Sequence, residues 1–84
     1  MWDEKAAKRL GASIRDLRGA AGLSQESLAY RAGVTKNQVQ LIEAGRASGR
    51  RNDTGISNPR TATLAGLADV LGVTVSELFA RSGL

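Results

Sequence analysis

Lys36, Asn37, Gln40 and Leu41 lie on one short segment and can between them donate, accept and make apolar contact. That combination suits base-pair edges in a DNA major groove, where amides pair with adenine, lysine donates to guanine and an aliphatic group meets a thymine methyl. The four sit within residues 24–45, SQESLAYRAGVTKNQVQLIEAG, whose apolar positions Leu28, Ala29, Ala32, Val34, Val39 and Ile42 recur at helical spacing on either side of Gly33. On a wheel of ~100° per residue with Val39 at zero, Ile42 falls at about 300° and Thr35 at about 320°, which defines a buried side. Asn37 then falls at about 160° and Leu41 at about 200°, flanked by Gln40 at about 100° and Lys36 at about 60°, with Gln38 at the boundary. A merely solvated face favours Glu and Lys. Asn is a poor helix former and an outward Leu adds nothing to a helix, so something other than helix stability selects these residues.

The elements that must hold this face are legible from caps and periodicity. A first helix is expected over residues 4–21, with Ala7, Leu10, Ile14, Leu17 and Ala21 on one face and Gly22 stopping it; Gly11 and Gly19 weaken it slightly. A second covers residues 25–32 after Ser24 as N-cap and ends at Gly33. Thr35 caps a third over residues 36–44, and Gln38 three residues on completes a capping box that fixes where the helix begins. The fourth, residues 62–71, is capped by Thr61 and stopped by Gly72, with Leu64, Leu67, Ala68 and Leu71 inward. The fifth follows Thr74, which forms a second capping box with Glu77 and turns Leu78 and Phe79 inward. With no strand signals, repeats or heptads, the fold is read as all-α, a compact five-helix bundle. Trp2 is expected to cover one edge of its core.

Between the third and fourth helices lies a loop, residues 45–59, GRASGRRNDTGISNP, longer than the few residues usual between packed helices. Arg46, Arg50 and Arg51 in the loop and Arg60 directly after it have only Asp53 against them, whereas elsewhere the charges alternate as on an ordinary solvated surface. Two readings stand side by side. Either the loop carries arginines along a phosphate backbone or toward a minor groove, or it is a mobile solvated insert.

Composition excludes several classes. The chain has 84 residues, 12 basic against 8 acidic, for a net charge of +4, a basic footprint suited to phosphate. A chain of this length buries about 60% of its unfolded surface, enough for one core, so residues 1–84 are read as a single domain. There is no cysteine and no histidine, which removes thiolate and imidazole ligands and the commonest general base; no metal and no cofactor are expected. Asp16, Glu26, Glu43, Asp53 and Asp69 show no paired catalytic spacing and no phosphate-cradling glycine loop precedes a helix, so the chain is not read as an enzyme. No apolar run spans a bilayer, and the expectation is a cytoplasmic protein with no membrane partner.

The segments LSQESLAYRAGV (23–34), VQLIEAGR (39–46) and NPRTATLAGLADVLGVTVSELF (58–79) together resemble the phage repressor and Cro type of helix-turn-helix regulator, the XRE-like family. With the first helix, the resemblance covers nearly the whole chain. It implies a lambda-repressor-like DNA-binding fold, with the third helix in the major groove of double-stranded DNA. It further implies that Gln25 bonds a backbone phosphate, and that Lys36, Asn37 and the position of Leu41 read bases, although a polar residue is common in the family where Leu41 stands. Gln40 is counted with the base readers. Thr35, Gln38, Arg46, Arg50 and Arg51 are counted with Gln25 as phosphate contacts. In relatives the connection after the third helix is short and runs along the DNA backbone, so the extra residues here would carry Arg50 and Arg51 further. A transcription regulator, a repressor or autoregulator such as a restriction-modification controller, is the leading reading. The alternative is an antitoxin or protein-interaction module that holds a partner such as a toxin. A homodimer is expected because one small module reads few base pairs, and Val75, Leu78, Phe79 and Leu84 give the last helix more apolar surface than one core face requires.

Overall fold

The computed structural model describes residues 2–50 and 55–84. Among the described residues five helices follow one another: α1 Glu4–Ala20, α2 Gln25–Ala32, α3 Lys36–Ala44, α4 Thr61–Leu71 and α5 Val75–Arg81. Each begins where the chain leaves extended backbone. The side chains of Asp3, Ser24, Thr35 and Thr74 accept from the third amide of the helix that follows, and Thr35 and Thr74 complete reciprocal boxes with Gln38 and Glu77.

Two boundaries differ from the sequence expectation. α4 starts at Thr61 rather than after it; Arg60 is the N-cap and makes no side-chain cap bond. Arg60 already has extended backbone and its carbonyl accepts from Leu64 N at 3.0 Å, so Thr61 lies inside the helix and its hydroxyl does not cap it. α1 ends one residue early, at Ala20, and Ala21, expected on the buried face, is exposed because Gly22 turns the chain away at φ 70°.

The core is Leu10, Ile14, Leu28, Ala29, Val39, Ile42, Leu64, Leu67 and Leu78, drawn from all five helices, with Trp2, Leu17, Val34, Leu71 and Phe79 half-buried around it. Trp2 thus covers a core edge as expected. α3 packs on both α1 and α2, and α2 also meets α4. The turn between α2 and α3 requires the left-handed region at Gly33, φ 74°, where a side chain would strain the backbone. Val34 N donates back to Ala29 O at 3.0 Å and closes the turn. Among the described residues no single helix is long and apolar enough to cross a membrane.

Candidate nucleic-acid interface

α3 is held at both ends. At its start Thr35 Oγ1 accepts from Gln38 N at 3.1 Å while Gln38 Oε1 accepts from Thr35 N at 2.9 Å. The hydroxyl and amide oxygens of this pair are therefore occupied by the cap, and both residues remain exposed at the helix N-terminus. Lys36, Asn37 and Gln40 are exposed, as the wheel requires. Leu41 departs from it. Placed opposite the core by the wheel, Leu41 is half-buried, lining a groove of about 510 Å³ with Gln38, Arg46, Ile56, Pro59 and Arg60. The cause is the loop, which folds back beside the C-terminal half of α3, a neighbour that helix periodicity does not count.

The loop has paired ends. Arg46 and Ile56 form an isolated antiparallel bridge, flanked by Ala47 N to Gly55 O and Ser57 N to Gly45 O, both 3.0 Å. Arg46 and Arg50 are exposed, and Arg46 Nη2 donates to Arg50 O at 3.2 Å. The loop thus leaves α3 as an arm with a closed base. Arg51 and Asp53 lie outside the described residues.

At the far end of α3, Glu43 has a side chain only 5% exposed. Its carboxylate accepts from Arg18 Nε at 2.7 Å and Nη2 at 3.0 Å, a two-point contact, and from Gln25 Nε2 at 3.1 Å. Arg18 Nη1 donates in addition to Leu23 O at 3.0 Å. The hydrogen bond to Glu43 raises the Arg18 pKa above its ordinary value against the opposing effect of burial, so the guanidinium stays charged at any working pH. One carboxylate therefore ties the end of α1, the start of α2 and the end of α3 together. Gln25, expected to reach a phosphate, has its amide nitrogen on Glu43, and it is half-buried at the first position of α2.

Sequence reasoning missed this ion pair because Arg18 and Glu43 are 25 residues apart. A signal was available. Glu43 falls at about 40° on the α3 wheel, at the edge of the buried side, where a carboxylate that turns inward requires a partner. Tyr30, 88% exposed on α2, is a second group that periodicity does not single out.

Comparison with known proteins agrees with this fold. A family model described as a helix-turn-helix domain matches residues 9–79. Among solved structures, the clp gene regulator ClgR from Corynebacterium glutamicum superposes with a TM-score of 0.77 at 22% identity, covering 93% of this chain and 72% of that one. The restriction-modification controller protein C.AhdI from Aeromonas hydrophila superposes with a TM-score of 0.71 at 30% identity, covering 86% of this chain and 94% of the other. A search of the curated proteins matches none. The match over most of the chain, on a five-helix frame that exposes Lys36, Asn37 and Gln40, places this protein in the phage repressor and Cro type of helix-turn-helix family, whose members are DNA-binding transcription regulators and not enzymes.

Proposed function

We propose that this protein is a repressor or autoregulator that binds its operator as a homodimer, with α3 in the major groove. The observation that carries the reading is the exposed polar face of α3, with Lys36, Asn37 and Gln40 on a helix fixed at one end by a capping box and at the other by a buried carboxylate. Lys36, Asn37 and Gln40 read base edges. Leu41 borders the same face and meets a thymine methyl, while Gln25, Thr35, Gln38, Arg46 and Arg50 position the domain on phosphates. Because the backbone N–H groups and side-chain oxygens of Thr35 and Gln38 pair with each other in the cap, their phosphate contacts come from the Thr35 hydroxyl proton and the Gln38 amide nitrogen. The likeness to a restriction-modification controller supports an autoregulatory role of that class.

Selection of sites from random duplex DNA tests the reading, which expects a preferred sequence with two-fold symmetry. Lys36→Ala and Asn37→Ala are each expected to cost about 1–3 kcal/mol at the selected site and little on random DNA. Equal losses on both would remove these residues from base readout. Gln25→Ala is expected to weaken all sequences alike. Replacing the contacted thymine by uracil should weaken the wild type and leave Leu41→Ala nearly indifferent. A Leu41→Ala protein that melts lower but responds to uracil like the wild type would instead assign Leu41 to packing in the groove.

For the dimer, the surface on and after α5 is narrower than its sequence suggests. Leu78 is fully buried in the core and Val75 and Phe79 are half-buried, leaving Leu84, 47% exposed, as the most open apolar group. Sedimentation of wild type against Leu84→Asp distinguishes a dimer built there from a monomer. A protein partner, such as a toxin, is the second reading, favoured by Tyr30, whose large side chain stands exposed beside Ser27 and Arg31 on α2.

A further inference from the structure

We propose that Trp2 is a positioning residue for the arginine loop, a latch that sets where Arg46 and Arg50 leave the body of the protein; this rests on the reading that those arginines contact the DNA backbone. Trp2 lies one residue before the α1 N-cap, and Asp3 Oδ1 accepts from Ala6 N at 2.8 Å, which fixes how the chain enters the helix. The indole is half-buried against the core, and its Nε1 donates to the Ser57 carbonyl at 2.7 Å, across 55 residues of sequence. Ser57, 5% exposed, in turn donates its N–H to Gly45 O at 3.0 Å, the residue that ends α3. Gly45 itself lies against the first turns of α1, where an added Cβ would come within 3.1 Å of Lys8 N. Both ends of the loop are therefore seated on the beginning of α1, one by backbone contact and one by the indole.

The pairing converts that seat into a direction. Arg46 and Ile56 face each other between the two flanking hydrogen bonds, the non-hydrogen-bonded type of antiparallel pair, so their side chains project to the same face. That face is the groove beside Leu41 of α3. If Ser57 is released, the Ser57 to Gly45 bond loses its anchor, Ile56 loses register with Arg46, and the arginine no longer has a fixed bearing on α3. The N-terminus thereby bears on DNA affinity without touching DNA.

Trp2→Phe keeps an aromatic ring on the core and deletes the donor. The measurement is the slope of log affinity against log salt on a mixed-sequence duplex, for wild type, Trp2→Phe, Arg46→Ala/Arg50→Ala and the triple variant. Trp2→Phe is expected to lower the slope by about 0.9 for each arginine that leaves its phosphate, toward the value of the arginine pair, and the triple variant is expected to fall no further than that pair. Hydrogen exchange should show the Ala47 and Ser57 amides opening in Trp2→Phe while the Val39 and Ile42 amides stay protected. A wild-type slope in Trp2→Phe, with a lowered slope in the arginine pair, overturns the latch and leaves the loop's binding to DNA standing. An unchanged slope in the arginine pair overturns both, and additive losses in the triple variant show that Trp2 acts by another route. The wild type offers a check that needs no variant: the indole N–H should exchange more slowly with solvent than that of free indole, and exchange at the free rate overturns the bond.

Discussion

Glu43→Ala is expected to lower stability by about 3–4 kcal/mol and the melting temperature by more than about 12 °C. The substitution leaves the Arg18 guanidinium, with 18% of its side chain exposed, holding only the Leu23 carbonyl where it had a two-point carboxylate contact. Breaking a buried pair costs about 3–5 kcal/mol because the remaining charge stays desolvated, and the partial exposure of Arg18 keeps the loss toward the lower end. For a chain of this size that is a large share of the total, about 0.05–0.15 kcal/mol per residue. Arg18→Leu/Glu43→Leu should recover most of the stability, since a well-packed apolar pair replaces the ions without an orphan. It should not recover DNA binding, because Gln25 loses the acceptor that holds its amide at the start of α2. Thermal melts and affinity on random duplex DNA check both halves. A double-leucine variant that binds like the wild type would show that Glu43 serves stability alone.

Gly11→Ala and Gly19→Ala are expected to act in opposite directions although both glycines lie within α1. In an exposed helix each change should stabilise by about 0.5–1 kcal/mol through backbone entropy. Gly19 has nothing within 4 Å of an added Cβ, so Gly19→Ala should show that gain. At Gly11 the same methyl would be driven into the Ile42 carbonyl oxygen and would lie 2.7 Å from that of Glu43. Both are backbone atoms of α3 and cannot swing aside. The helices must part, and Gly11→Ala is expected to lose about 3 kcal/mol, the upper part of the range for overpacking. Because α3 is the element pushed, affinity for the selected site should fall further than stability alone explains. Denaturant unfolding of the two variants side by side decides the matter, and equal stabilities would show that α1 and α3 do not approach so closely in solution.

These two glycines show how far the sequence reaches. Read along the chain they are alike, two weak points in one amphipathic helix, and only the crossing of α1 over α3 makes one indispensable. Local features were legible because they depend on neighbours within a turn. The capping boxes of Thr35 with Gln38 and Thr74 with Glu77, the stops at Gly33 and Gly72 and the outward set Lys36, Asn37 and Gln40 follow from spacing alone. What depends on distant residues was not legible. The loop's return beside α3 half-buries Leu41, the 55-residue reach from Trp2 to Ser57 seats that loop, and the Glu43 carboxylate joins Arg18 to Gln25 across three helices. Sequence by itself determined the helices and the outward polar face of α3, because periodicity and caps are short-range. Tertiary structure alone decided how rigidly that face is presented, because close approach, burial and charge pairing arise only when elements far apart in sequence are brought together.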